Sequence, residues 1–97
     1  MKLVFDAKAL SDLEAIYDWV STDTPALARD VVDRVFSSIE RLSLFPQMGR
    51  VGIVPGTREW VVPRLPYIVV YEVHDTTDEL VVIAVFHGAQ DREPRTD

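Results

Sequence analysis

The order in which two kinds of hydrophobic periodicity occur constrains the fold of this chain more than any other feature. Apolar residues first recur at spacings of three and four in two adjoining stretches, 10–20 and 28–42, which predicts two helices. Three apolar runs typical of β-strands follow at 58–63, 67–74 and 80–87. Elements that are grouped by type indicate an α+β fold, with an antiparallel helical hairpin packed on a mostly antiparallel sheet.

Short local signals set the ends of these elements. Residues 2–5 predict an opening strand, and Asp6 is suited to cap the first helix. Thr24 followed by Pro25 predicts a second helix with a threonine cap, because proline at the first helical position loses no hydrogen bond. Pro46 ends that helix, and a loop of about ten residues is expected after it.

Within each predicted helix, the apolar positions define the face that should enter the core. The first helix is expected to bury one stripe and to expose its acids, and the second to bury another stripe. The expected core residues are Leu10, Leu13, Ile16, Tyr17 and Val20, then Ala28, Val31, Val32, Val35, Ile39 and Leu42, with Asp12, Glu14 and Asp18 on the exposed side of the first helix.

Length and composition exclude several classes of protein. A chain of 97 residues predicts one domain over 1–97, in which the polar residues 90–97 are expected to be frayed. The absence of cysteine excludes a disulfide scaffold, a thiolate zinc site and a cysteine nucleophile. Apolar runs are too short to cross a bilayer, and the early charge at Asp6 argues against a signal peptide, so we expect a cytoplasmic protein.

The net charge of −6 is opposite to that of a protein that holds nucleic acid through its phosphates. The acid is unevenly distributed, because residues 46–74 carry three arginines against two glutamates, a local balance of +1. Arg50, Arg58 and Arg64 are therefore either three solvated side chains or a cluster that binds phosphate or an acidic partner segment.

Histidine supplies the remaining candidates for acid–base chemistry. His87 ends a predicted strand beside Gly88, where it is either a general acid or base or a hydrogen-bonded residue at the rim of the sheet. His74 ends the neighbouring strand and is interpreted as structural. Two histidines without a third ligand do not make a zinc site, and no cofactor motif is present, so we expect neither metal nor cofactor.

Aromatic residues in the strands have two interpretations. Tyr67 and Tyr71 are four apart and share a face, either to stack on a base or to pack in the core with their hydroxyls at the rim. Trp60 is either a core residue or an anchor for a partner on an exposed face. Glu59, beside Arg58, is either a base near a cation or an exposed strand residue.

Taken together, these motifs resemble the ParE/RelE superfamily, the toxins of bacterial type II toxin–antitoxin pairs, and are closer to ParE. The resemblance covers nearly the whole chain. It is carried by the opening strand, Ala9 with Asp12-Leu13, the hairpin, Pro46 with Gly49-Arg50, Gly56-Thr57-Arg58-Glu59, Tyr67 with Tyr71, and Val85-Phe86-His87-Gly88-Ala89.

The resemblance implies one of two activities and a shared partner. RelE-like members are ribosome-dependent ribonucleases that carry an arginine directly after the first tyrosine of the tyrosine-bracketed strand, whereas ParE-like members poison DNA gyrase. Here that position is Ile68, which cannot stabilise a phosphoryl transition state, so the resemblance favours a gyrase inhibitor that acts by binding rather than as an enzyme. A ribonuclease using Arg58, Glu59 and His87 on ribosome-bound messenger RNA remains the alternative.

In both cases the resemblance implies a cognate antitoxin whose acidic or amphipathic C-terminal segment wraps the toxin in a hetero-oligomer. The residues expected to bind partners are Arg50, Arg58, Trp60, Arg64, Tyr67, Tyr71 and His87. A degenerate, non-toxic module that still binds its antitoxin is the third hypothesis. An apolar groove along the hairpin and sheet, with the three arginines on its exposed side, is expected if the protein acts by binding.

Overall fold

The computed structural model describes residues 1–88 of the chain, so the predicted frayed tail at 90–97 lies outside it. Within residues 1–88, two consecutive helices follow a short first strand, and four strands follow the helices. The elements are β1 (Lys2–Phe5), α1 (Ala7–Asp23), α2 (Pro25–Leu44), β2 (Arg50–Val51), β3 (Arg58–Val61), β4 (Tyr67–His74) and β5 (Glu79–His87). The predicted α+β class and helical hairpin are confirmed.

The five strands form one mixed sheet in the order β1-β5-β4-β3-β2. β1 pairs with β5 in parallel, and every other pair is antiparallel. The sequence missed β2, which interrupts the predicted long loop with two residues paired to β3. β3 ends at Val61 rather than at Pro63, and the N–H of Val62 donates to the carbonyl of Tyr67 across the turn.

The helix ends agree with the sequence except at one cap. The Asp6 carboxylate accepts a hydrogen bond from the N–H of Ala7, as expected of a cap residue. Pro25 occupies the first turn of α2, also as expected. The Thr24 side chain makes no capping bond, so that part of the prediction is wrong. The backbone of Thr24 instead bonds to both helices. Its N–H donates to the carbonyl of Val20 in α1, and its carbonyl accepts from the N–H of Leu27 in α2.

One hydrophobic core lies between the helices and one face of the sheet. On α1 the buried stripe is Ala9, Leu13 and Ile16, one position away from Leu10 and Tyr17. Those two residues were predicted to be buried but are 50% and 46% exposed. The other main core residues are Val35, Ile39 and Leu42 of α2, Val62 after β3, and Tyr67, Val69, Tyr71, Leu80, Val82 and Val85 of the sheet.

A bulge in β5 sets which side chains face the helices. The pairing passes from Val70–Ala84 directly to Tyr71–Val82, which leaves Ile83 without a partner on β4. Tyr67 and Tyr71 both lie in the core, so the prediction that they share a face and pack there is confirmed. Ile68 and Val70 alternate with these core residues along β4, so their side chains lie on the opposite side of the sheet, which we call the open face.

Candidate partner-binding groove

The loop that follows α2 is held against the sheet by Tyr71. The phenolic hydroxyl donates to the carbonyl of Pro46 at 2.8 Å and accepts from the N–H of Gly49 at 2.9 Å. A Cβ on Gly49 would lie 2.4 Å from that hydroxyl, so the close approach requires glycine. Burial raises the pKa of Tyr71, while the Gly49 N–H and the nearby Arg58 charge act in the opposite direction.

Arg58 holds the same loop from β3. One guanidinium nitrogen donates to the carbonyl of Gly49 at 2.6 Å, and another donates to Oε1 of Gln47 at 2.5 Å. Its Cα partner on β4 is Tyr71, which places Arg58 on the helix side of the sheet. The donors of this arginine are therefore directed at the loop.

Glu59, the next residue, points to the open face and is buried. Its carboxylate accepts from Arg50 at 3.3 Å across the β2–β3 pair and from the N–H of Ile53 at 3.2 Å. The alternation of β3 thus separates Arg58 from Glu59, two of the three residues expected to serve a ribonuclease. Glu59 was interpreted as an exposed strand residue, and its burial shows that this was wrong.

Arg64 lies apart from the other two arginines. It occupies the β3–β4 turn, at the end of β3 opposite to Arg58, with a positive φ of 65°. It is exposed, and no ion pair joins it to the described part of the chain. Arg50 and Arg58 share the β2–β3 edge, but the expected cluster of three arginines does not form.

A groove opens beside α1 and continues across the end of the sheet, and we call it the partner groove. It holds about 990 Å³ and is lined mainly by apolar side chains. One rim is Trp19, which is 74% exposed, and the loop residues Ile53 and Val54 lie on another side. Its other principal lining residues are Asp12, Glu59, Tyr67, Val70, Glu72, Ala84, Phe86 and His87.

Asp12 connects α1 to the strand that lines this groove. Its Oδ2 accepts from the backbone N–H of Val85 at 2.9 Å, while Lys8 pairs with the same carboxylate at 3.0 Å. β1 pairs with β5 only as far as Val82, so the carboxylate binds an N–H that β1 does not reach. The prediction that Asp12 lies on the solvent side of α1 is wrong, because tertiary contact with β5 turns it inward.

The remaining candidate site residues lie at the two ends of β4. Tyr67 and His87 meet edge to face with ring centroids 5.6 Å apart, and burial raises the pKa of Tyr67. Ile68 lies on the open face and is only 6% exposed. At the opposite end of β4, Nε2 of His74 lies 2.8 Å from Oε1 of Glu72, which agrees with the interpretation of His74 as a structural residue.

Trp60 packs against the core from the helix side of β3, so it is not an anchor on the open face. Its buried indole N–H has no hydrogen-bond partner among residues 1–88. The exposed apolar residues of the groove that sequence reasoning missed are Trp19, Ile53 and Val54. The available signal was a tryptophan outside the apolar stripe of α1, which favours an exposed position.

Within the described residues, no cluster of three potential metal ligands occurs. Among the same residues, no helix is both long and apolar enough to cross a membrane.

Solved structures define the class of protein. A chain from the structure of the chromosomal ParDE toxin–antitoxin system of P. aeruginosa matches with a TM-score of 0.80 and 28% identity, covering 90% of this chain and 95% of the matched chain. The isolated E. coli RelE toxin shares the fold, with a TM-score of 0.69 at 17% identity over 93% of this chain and 86% of the other. The hairpin on a mixed sheet is therefore the fold of ParE/RelE toxins.

Sequence comparison narrows this class to a family. The model of the ParE toxin of the type II toxin–antitoxin system parDE matches residues 3–92. A toxin from Sinorhizobium fredii, Y4kP, is 31% identical over 83 residues, which are 86% of this chain and 83% of the relative. Toxin RelE2 of Caulobacter vibrioides is 30% identical over 82 residues, 84% of this chain and 91% of the relative. This chain belongs to the ParE toxin family of type II toxin–antitoxin systems.

Proposed function

We propose that this protein inhibits DNA gyrase by binding and is neutralised by a cognate antitoxin in the cytoplasm. The observation that carries the proposal is the dispersal of the arginines. Arg58 is bonded to the loop on the helix side of the sheet, Arg50 is paired with Glu59, and Arg64 lies at the far end of β3. The partner groove instead offers apolar surface with an exposed tryptophan.

This arrangement is poorly suited to phosphoryl transfer. Cleavage of RNA requires cations or donors aimed at the charge that develops on the phosphate. On the open face, the position after Tyr67 is occupied by Ile68, and Arg58 is on the other side of the sheet. The net charge of −6 also disfavours tight association with ribosomal RNA.

A ribonuclease remains the second candidate, on one specific observation. Glu59 and His87 both line the partner groove, so a carboxylate and an imidazole share one concave surface. Glu59 is, however, engaged by Arg50 and by the N–H of Ile53. The groove lining supplies one cation, Lys8, and this lysine is paired with Asp12.

The partner groove also suits the antitoxin contact that the family implies. Aromatic side chains that project from an apolar rim are typical anchors of protein interfaces. Trp19 and the pair Ile53 and Val54 lie on different elements around the groove, so a bound segment would contact both. The resulting complex would be a toxin–antitoxin hetero-oligomer, as in the intact E. coli RelBE toxin–antitoxin complex, which has a similar fold.

Two reactions with the purified protein separate the candidates. The protein is added to gyrase with relaxed plasmid, and separately to ribosomes translating a defined message. Loss of supercoiling with an intact message supports the proposal. Cuts positioned by codon, with gyrase unaffected, would replace it with the ribonuclease. Antitoxin binding without either effect would identify a non-toxic binding module.

The contribution of the groove is tested with Trp19→Ala. Phe45→Ala is the matched control, because Phe45 is an exposed aromatic residue at the end of α2 and does not line the groove. We expect Trp19→Ala to weaken antitoxin or gyrase binding at least about tenfold, as for an interface anchor. Equal behaviour of the two variants would remove the groove from the proposed function.

A further inference from the structure

The loop between β2 and β3, residues 52–57, is closed by its own hydrogen bonds, and we call it the rim loop. The N–H of Gly52 donates to the carbonyl of Thr57 at 2.8 Å, and the N–H of Thr57 donates to the carbonyl of Val54 at 3.1 Å. The Thr57 hydroxyl donates to the same Val54 carbonyl at 2.6 Å. Gly56 has a positive φ of 86°, which glycine adopts without strain. These bonds give the loop a defined shape before any partner binds.

Glu59 fixes the rim loop to the sheet. Its buried carboxylate accepts from the N–H of Ile53 at 3.2 Å and from Arg50 at 3.3 Å. Because Glu59 lies on the open face of β3 and lines the partner groove, this contact holds the rim loop beside the groove. A binding element that is ordered beforehand loses less conformational entropy when it associates with a partner.

The tip of the rim loop is apolar although it is exposed. Ile53 and Val54 are 40% and 51% exposed, and both line the partner groove. Trp19 of α1 lines the same groove and is more exposed still. Single apolar residues scattered on a surface are ordinary, whereas three large ones around one concave surface mark an interaction site.

The charges that line the partner groove are unevenly neutralised. Two of its three carboxylates, Asp12 and Glu59, are each paired with a lysine or an arginine. The third, Glu72, is paired within residues 1–88 only with His74, which carries a charge only when it is protonated. The Glu72 side chain is 37% exposed. A carboxylate in a cleft with apolar walls attracts a cation more strongly than one on an open surface.

We propose that the partner groove binds a segment of gyrase in which an arginine or lysine lies beside apolar residues. The apolar side chains of this segment contact the rim loop and Trp19, and its cation pairs with Glu72. Gyrase acts on DNA, and surfaces that hold DNA carry lysine and arginine, so such a cation is available on this partner. The inference rests on the proposed function, because it takes gyrase as the partner.

Two double variants test the contact with the rim loop. Ile53→Ser combined with Val54→Ser removes apolar side chains that line the groove. Val51→Ser combined with Val61→Ser is the control, because both valines are exposed and lie outside the groove lining. In a supercoiling assay with purified gyrase, the first pair should raise the concentration for half inhibition at least about tenfold, and the control less than about twofold. Equal changes would overturn the inference.

The contact with Glu72 is tested by the same charge change at two positions. Glu72 lines the groove, whereas Asp75 is exposed in the β4–β5 turn outside it. Binding to immobilised gyrase at low salt should weaken at least about tenfold in Glu72→Lys and by less than about twofold in Asp75→Lys. Added salt should weaken wild-type binding more than binding of Glu72→Gln. Equal affinities of the two lysine variants would show that Glu72 meets no cation.

Failure of the inference is distinguishable from failure of the proposed function. If the wild type inhibits gyrase and the groove variants inhibit it equally well, the protein inhibits gyrase through another surface and only the inference is wrong. If the groove variants lose antitoxin binding but keep gyrase inhibition, the groove belongs to the antitoxin, which also overturns the inference. If the wild type does not bind gyrase, the proposed function is wrong and the inference falls with it. Matching urea-unfolding midpoints establish that each variant is folded.

Discussion

The hydroxyl of Tyr71, in the middle of β4, lies 2.8 Å from the carbonyl oxygen of Pro46, directly beyond the end of α2. The same hydroxyl accepts the N–H of Gly49, so one core side chain satisfies a donor and an acceptor of the loop. This contact explains how a segment rich in proline and glycine keeps a defined path. It also connects the C-terminal end of α2 to the β2–β3 edge.

Tyr71→Phe should therefore destabilise the protein although it keeps the aromatic ring. Removing the hydroxyl leaves the Gly49 N–H and the Pro46 carbonyl without their partner, which costs about 1–3 kcal/mol. Tyr17→Phe is the control, because Tyr17 is half exposed and makes no hydrogen bond to the described residues through its hydroxyl. Urea unfolding of both variants gives the comparison, and equal midpoints would show that the two loop contacts contribute nothing.

The same tyrosine makes stability depend on pH in the alkaline range. Burial raises the pKa of Tyr71 and of Tyr67 above the ordinary value of 10.0, so the folded protein holds these protons more tightly than the unfolded chain. Their contribution is complete below about pH 10 and is lost as the pH rises through the folded-state pKa. Unfolding free energy should fall above pH 10, and less steeply in Tyr71→Phe. A rise in stability above pH 10 would contradict the raised pKa values of these two tyrosines.

The fold was predictable because its main signals are local. The helix end at Leu44 and the strand at Tyr67–His74 follow from proline positions and unbroken apolar runs. The two-residue strand Arg50–Val51 could not be found this way, because both residues are exposed and only their pairing with β3 defines them. Such an element has no periodicity of its own.

The candidate site was less predictable because it depends on which face each side chain takes. Arg58 and Glu59 are adjacent in sequence but point to opposite sides of the sheet. Asp12 fits an exposed position by helical periodicity, yet it binds a backbone N–H that becomes available only where β1 ends beside β5. Long-range contacts of this kind leave no mark in a single sequence.

Asp12→Ala should lower stability through the contact with β5. The variant leaves the N–H of Val85 without its acceptor in a partly buried position, at a cost of about 1–3 kcal/mol. The ion pair with Lys8 is a surface i,i+4 pair that contributes only about 0.3–0.5 kcal/mol. Lys8→Ala therefore separates the two effects, and denaturant unfolding should show a much smaller loss for it. Equal losses would mean that the strand contact is unimportant.

Ile68→Arg tests whether the residue that departs from the ribonuclease pattern is also required by the fold. Ile68 is 6% exposed, so an arginine would bring an unpaired charge into a dry position, and we expect a loss of a few kcal/mol. Val61 is its register partner on β3 and is 48% exposed, so Val61→Arg should cost less than about 0.5 kcal/mol. Unfolding curves for the two variants measure the difference. If Ile68→Arg were as stable as the wild type, the open face would tolerate a cation, and cleavage of translated messages should then be assayed with that variant.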